Sequence, residues 1–129
     1  MLKGICTVTV FADDVAAAQG WYSEVFGIDA YFERPPHYVE FRVGDHQHEF
    51  GIIDRRFAPS PSSGLGGAIV YWHVDDVHAA LEKLLKLGAS VYEPVTERGP
   101  GFVTASVVDP FGNVLGVMYN QHYLDVLAG

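Results

Sequence analysis

The sequence predicts an α+β domain of two βαβββ modules whose strands form a curved, eight-stranded mixed sheet around a cupped cavity. Three observations predict it. The chain has 129 residues, the size of one compact domain. Its hydrophobic content of 49% and aromatic content of 13% supply enough apolar surface to offset chain entropy. The order of its strand-like and helix-like segments then repeats: Ala12-Asp13-Asp14-Val15 returns as Val74-Asp75-Asp76-Val77 about 62 residues on, Gly27 to Tyr31 as Gly88 to Tyr92 at about 61, and Phe50-Gly51-Ile52 as Leu115-Gly116-Val117 at about 65. Two copies of such a half-buried unit pair their strands, with helices on one face and the other face free to enclose a ligand.

Module one covers residues 5–53. Ile5 to Phe11 is rich in β-branched residues in alternation, a strand in which Cys6 reads as a small buried hydrophobe. Asp13 and Asp14 offer an N-cap, Val15, Ala18, Tyr22, Val25 and Phe26 recur at spacings of three and four, and Gly27 supplies the stop, so a helix of about three turns follows. Ile28 to Glu33 and Tyr38 to Val43 read as strands separated by Pro35-Pro36, and Gly44-Asp45 reads as a two-residue hairpin turn into a strand from His46 to Ile53.

Residues 54–66, with Pro59, Pro61, Gly64 and Gly66, read as a linker loop. Module two, residues 67–119, restarts with a strand from Ala68 to Val74. Asp75-Asp76 caps a helix with Val77, Leu81, Leu84 and Leu85 on one face, and Gly88 ends it. Strands at Ala89 to Glu93, Phe102 to Val108 and Val114 to Tyr119 follow, punctuated by Pro94, Gly99-Pro100-Gly101 and Asp109-Pro110-Phe111-Gly112-Asn113. Residues 120–129 form a tail.

Eight Lys and Arg against sixteen Asp and Glu give a net charge of −8, which argues against nucleic-acid and membrane-surface partners. Apolar runs fall short of the roughly 20 residues that span a bilayer, and the start lacks a signal peptide's apolar stretch, so a cytoplasmic protein is expected. The single cysteine excludes an internal disulfide.

The paired Asp-capped helix openings, Trp21-Tyr22-Ser23-Glu24-Val25-Phe26-Gly27 at the end of the first helix, and Asp109-Pro110-Phe111-Gly112-Asn113 before the last strand together resemble the vicinal oxygen chelate superfamily, that is, the glyoxalase/bleomycin resistance protein/dioxygenase family. The resemblance covers roughly residues 5–120. It implies a glyoxalase-like fold and a function among lyases, isomerases, dioxygenases and proteins that bind a compound without changing it. In metal-using members each module gives one ligand from its first strand and one from its last. By that resemblance the ligand positions fall on Thr7 and Gly51 in module one and on Ile69 and Gly116 in module two. These residues offer one weak hydroxyl between them, where a catalytic divalent ion takes three or more strong donors, so neither a metal nor another cofactor is expected.

Strand alternation adds Thr9, Phe11, Glu49 and Ile53 to the cupped face in module one, and Tyr71, His73 and Met118 in module two. Thr7, Thr9, Phe11, Glu49, Gly51, Ile69, Tyr71, His73, Gly116 and Met118 are therefore the expected ligand-binding set, with the glycines leaving room for the guest. Glu49 and His73 are the ionisable members and the candidate catalytic pair. Trp72, of opposite parity to Tyr71, is expected beneath the helix. His46-Gln47-His48 falls beside a hairpin turn and reads as an exposed edge.

The leading functional reading is a metal-free small-molecule-binding protein that captures an aromatic or cationic compound. A lyase, isomerase or dioxygenase using Glu49 and His73 or relocated metal ligands is the alternative, and an accessory interaction domain the third. A homodimer is expected, because the family commonly pairs its sheets across a two-fold and so short and apolar a chain leaves apolar surface to cover.

Overall fold

A computed structural model describes residues 1, 3, 5–58, 65 and 68–129. The chain divides into two compact units, Met1–Ser63 and Gly64–Gly129, each holding a four-stranded mixed sheet. The eight expected strands are all present.

The first unit contains β1 (Thr7–Ala12), α1 (Val15–Phe26), β2 (Phe32–Arg34), β3 (Tyr38–Val43) and β4 (His48–Asp54), in the sheet order β1-β4-β3-β2. β1 runs parallel to β4, and the other pairs are antiparallel. α1 forms where the sequence places it. The Asp14 carboxylate accepts the Ala17 N–H at 3.0 Å, and Gly27 closes the helix in the left-handed region at φ 69°. Val15, Ala18 and Tyr22 are buried from the helix, and Val39, Phe41, Phe50 and Ile52 from the sheet. Tyr22 meets Phe50 at 4.9 Å between ring centroids, and Phe26 meets Phe41 at 5.4 Å and Phe50 at 5.2 Å. Each such aromatic contributes about 1.5–3 kcal/mol of burial, which fixes the helix on this face and leaves the other face open.

The structure corrects four local expectations in this unit. Cys6 precedes β1 and is exposed, as is Ile5, because strand pairing begins only at Thr7 opposite Glu49. Residues 28–31 stay outside β2, held by one bond from the Tyr31 N–H to the Glu40 carbonyl at 3.1 Å. The β3–β4 turn uses four residues, not two: Gln47 donates its N–H to the Gly44 carbonyl, with Gly44 at φ 79° and Gln47 at φ 55°. Of the stretch read as a linker, Asp54 ends β4 and Arg55–Phe57 makes a 3-10 turn capped by Asp54, while residues 59–64 and 66 lie outside the described residues.

The second unit contains β5 (Val70–His73), α2 (Val77–Lys86), β6 (Ser90–Gly99), β7 (Phe102–Val108), β8 (Val114–Asn120) and α3 (Gln121–Ala128), in the sheet order β5-β8-β7-β6. Asp76 caps α2 through the Ala79 N–H, and Val77 and Leu84 are buried along with Ala105, Val107, Leu115 and Val117. Leu85 is instead 39% exposed. Trp72 pairs with Val117, on the side of the sheet that carries these buried residues, as parity predicts.

β6 is longer than expected. Pro94 does not end it, because register shifts on either side of this residue place the missing N–H in bulges of an edge strand, where it breaks no ladder bond. The tail is also structured: the Asn120 side chain accepts the Tyr123 N–H at 3.1 Å and starts α3. The loop before β8 is tied by Asp109, 3% exposed, which accepts the N–H groups of Phe111 and Asn113 at 2.9 and 2.8 Å and the Asn113 side-chain amide at 3.0 Å. Among the described residues no helix is long and apolar enough to cross a membrane.

Candidate functional site

Register settles which predicted residues share a face. In the first unit Thr7, Thr9 and Phe11 stand opposite Glu49, Gly51 and Ile53, so all six project from the side away from α1. β3 extends this face, because Tyr38, Glu40 and Arg42 pair with Ile53, Gly51 and Glu49.

These residues make one polar cluster. Glu49 accepts the Thr7 hydroxyl at 3.3 Å on one oxygen and two guanidinium N–H groups of Arg42, each at 3.2 Å, on the other. The Tyr31 hydroxyl lies 3.1 Å from that second oxygen and also touches the Glu40 carboxyl. Tyr38 donates to the other Glu40 oxygen. The Arg42 guanidinium sits over the Tyr31 ring, 4.0 Å from its centroid, a cation–π contact that orients both side chains. Desolvation, and then the negative charge of Glu49, raise the Glu40 carboxyl above its ordinary range, against the opposing pull of Arg42. The same two causes raise the Tyr38 phenol.

The second unit carries a comparable cluster from different positions. Tyr71 and His73 pair with Gly116 and Met118 on the side opposite Trp72. Glu93 accepts the Tyr71 and Ser106 hydroxyls on one oxygen and Arg98 on the other, each at 3.1 Å, while Arg98 also donates to the Thr104 hydroxyl at 3.1 Å. Desolvation, and next the bond to Glu93, raise the Tyr71 phenol.

The expectation that Gly51 and Gly116 leave room for a guest is overturned. A β-carbon on residue 51 would stand 2.7 Å from the Tyr38 hydroxyl, and one on residue 116 would stand 2.5 Å from the Tyr71 ring. The rings lie over the glycines and so supply dispersion contacts that an uncovered gap would forfeit. His73 is a packing residue in this structure. Its Nδ1 accepts the Asn120 N–H at 3.1 Å, and its ring, 11% exposed at the side chain, stacks on Tyr123 of α3 at 5.0 Å. Met118 pairs with it in the register, and Ile69 lies just ahead of β5. His46 and His48 are exposed at the hairpin, as expected.

The positions that the resemblance assigns to metal ligands do not fit a metal. The Thr7 hydroxyl is engaged with Glu49, Gly51 and Gly116 are covered by phenol rings, and Ile69 has no donor. Glu49 is no substitute, since Arg42 neutralises it. Among the described residues no three His, Cys, Asp or Glu side chains are placed to hold an ion.

Tyr31, Tyr38, Glu40 and Arg42, with Glu93, Arg98, Thr104 and Ser106, were missed in the sequence. The alternation of Tyr38, Glu40 and Arg42, folded back on Glu49 and Gly51 by the hairpin, was the signal that could have found three of them. An open pocket of about 460 Å³ lies elsewhere on the first unit, lined in part by Asp14, Gln19, Pro36, His37 and Arg56, and shares none of the predicted site residues. There the His37 Nδ1 lies 3.0 Å from Asp54.

The sequence matches the profile of the Glyoxalase/Bleomycin resistance protein/Dioxygenase superfamily over residues 4–117. Solved structures with a similar fold include a glyoxalase-related enzyme from Fulvimarina pelagi, at 20% identity and TM-score 0.74 over 93% of this chain and 90% of that one. A lactoylglutathione lyase from Agrobacterium tumefaciens gives 21% identity and TM-score 0.74 over 95% and 98% of the two chains. TioX from Micromonospora gives 18% and 0.68 over 92% and 99%. No curated protein sequence matches the chain significantly.

Proposed function

The chain belongs to the Glyoxalase/Bleomycin resistance protein/Dioxygenase superfamily, and from that premise we propose that it is a small-molecule-binding member that works without the superfamily's metal. One observation carries this reading: phenol rings occupy the space over Gly51 and Gly116, two of the positions that the resemblance assigns to metal ligands. What each open face offers instead is an aromatic surface with hydrogen-bonding tyrosines and a carboxylate–guanidinium pair, Glu49 with Arg42 in one unit and Glu93 with Arg98 in the other. Such a surface suits a partly aromatic guest with a polar or cationic group. The protein acts in the cytoplasm as a homodimer in this reading, which the exposure of Tyr31, Phe32, Val91, Tyr92 and Phe102 supports.

Mass spectrometry under native conditions, followed by identification of any copurified compound, tests the reading. Recovery of one organic molecule per chain, with affinity lost in Tyr71→Ala or Glu49→Gln, is the expected result. A protein that binds no compound, or whose variants bind an identified compound as tightly as the parent, rules it out. A second reading, a metal-independent lyase or isomerase, draws on the contact of Tyr31 with two carboxyl groups, since acid–base catalysis needs such a donor and acceptor close together. Turnover of the recovered compound would select it.

A further inference from the structure

β3 and β4 bring a histidine and an aspartate together on the helix side of the first sheet, away from the cupped face. The antiparallel ladder pairs Tyr38 with Ile53, and one step further the Asp54 N–H donates to the His37 carbonyl at 2.9 Å. His37 and Asp54 therefore stand opposite each other, in phase with Val39 and Ile52, which are buried. Their side chains meet as well, with the His37 Nδ1 3.0 Å from Asp54 Oδ2. Asp54 is held as a carboxylate, because one oxygen accepts the Arg56 N–H at 3.0 Å and the other lies 3.2 Å from the Arg56 Nε. A carboxylate takes only donors, so the Nδ1 that faces it carries the proton and Nε2 is left with a lone pair. The Phe57 ring meets the imidazole at 5.5 Å between centroids and 83° between planes, which holds the ring in place. An imidazole whose far nitrogen is oriented by a carboxylate is prepared to attack.

Both residues line the open pocket of about 460 Å³, a size within the roughly 300–1,000 Å³ of small-molecule sites. Val15 and Val39, buried, give it an apolar floor together with Pro36. Among the described residues no hydroxyl or thiol lines it, so the imidazole is the nucleophile available there. Asp13, Asp14 and Asp54 outnumber Arg56 around it, a balance that disfavours anionic guests.

The geometry points to a second active site, in which His37 is the catalytic nucleophile of ester hydrolysis and Asp54 its positioning residue. The substrate class is a small uncharged ester whose apolar body rests on Val15, Val39 and Pro36. The Nε2 lone pair bonds to the acyl carbon, and the carbonyl electron pair moves onto oxygen. The guanidinium N–H groups of Arg56 beyond its Nε are the donors available to that oxygen. As the carbonyl reforms, the ester C–O bond breaks and the alkoxide or phenolate leaves with the electron pair. The acyl-imidazolium keeps its positive charge beside the Asp54 carboxylate. Water then adds to the acyl carbon and the C–N bond breaks, so the ring is neutral again. One proton of that water stays on the carboxylic acid released, and the other goes to the leaving oxygen. This goes beyond the binding reading of the cupped face and does not rest on it.

Nitrogen-15 NMR of the whole protein tests the dyad without any substrate. Neutral His37 is expected to carry its proton on Nδ1, the tautomer that free histidine disfavours, and Asp54→Asn should shift the population toward Nε2–H. A neutral His37 protonated on Nε2 in the parent overturns the proposal.

Hydrolysis of 4-nitrophenyl acetate tests the reaction. The chain has six histidines, and any accessible imidazole attacks this ester slowly, so the variants decide. His37→Gln should lower the rate of nitrophenolate release about tenfold or more, and Asp54→Asn should lower it severalfold, with circular dichroism unchanged in both. Quenched early and digested, the parent should carry its acetyl group on His37 by mass spectrometry. A rate shared evenly among the histidines, or an acetyl group found only on other residues, overturns the proposal. Relative to their reactions with free imidazole, the neutral ester should react faster than anionic 4-acetoxy-3-nitrobenzoate, and equal ratios overturn the uncharged substrate class. None of these failures touches the capture of a compound on the cupped face, which the Tyr71 and Glu49 variants test separately.

Discussion

The hydroxyl of Tyr38 and the backbone of Gly51 fit only as a pair: 2.7 Å separates that oxygen from the place where a β-carbon on residue 51 would be, and the ring edge follows at 3.1 Å. A tyrosine two residues along the neighbouring strand fills the space beside the glycine, so a side chain at residue 51 fits only if that ring shifts.

Gly51→Ala should accordingly lower stability by about 1–3 kcal/mol through overpacking, and Tyr38→Phe, which removes the closest atom, should restore part of the loss in the double variant. Urea denaturation of the four proteins of the cycle measures this. Additive effects would show that the ring swings away freely.

Asp109→Ala should cost about 2–4 kcal/mol, because three donors around a 3% exposed carboxylate lose their acceptor together. The loop holds the start of β8, so amide hydrogen exchange should rise first at Val114 and Leu115. A loss below 1 kcal/mol in the same denaturation assay would mean that water replaces the side chain.

Asp54 gives a pH dependence with a defined sign. The Arg56 backbone N–H, then the His37 and Arg56 side chains, hold its carboxyl below the ordinary 3.8. A depressed folded value stabilises the fold fully above the unfolded value, and that contribution fades as pH falls through the folded one. Asp54→Asn should thus be less stable at pH 7 and show a flatter decline of stability below pH 3.8. Parallel curves for the two proteins between pH 2 and 7 would contradict it.

Elemental analysis of the purified protein should find no stoichiometric zinc, iron, manganese or nickel, and a chelator should leave the melting temperature unchanged. The donor chemistry of Thr7, Gly51, Ile69 and Gly116 sets this expectation. One metal per chain, lost on chelation together with stability, would restore a metalloenzyme reading.

Local chemistry made most of the fold legible. The caps at Asp14 and Asp76, the glycine stop at Gly27, and the strands Tyr38–Val43 and Phe102–Val108 all follow from signals within a few residues. Parity likewise placed Thr7, Thr9, Glu49 and Gly51 on one face. What escaped depends on neighbours that sequence spacing does not supply. Pro94 reads as a stop until the bulges of an edge strand are known. Arg98 reaches Glu93 only because those bulges shift its register, and the stacking of His73 on Tyr123 depends on α3, a helix where the sequence reads as a tail. The glycines were read as vacancies because a deletion is visible in one residue, whereas its compensation sits on another strand.

Gly51 and Gly116 occupy matching places in the two halves, yet Tyr38 reaches the first from β3 and Tyr71 reaches the second from β5. At the place matching Tyr71 the first half has Thr9, and at the place matching Tyr38 the second has Thr104. The halves of a duplicated chain that inherited one solution would carry one tyrosine at one address. Two addresses mean that the two glycines are covered in different ways, so the repeat is a symmetry of scaffold and not of surface, and the two faces present different side chains around the same backbone.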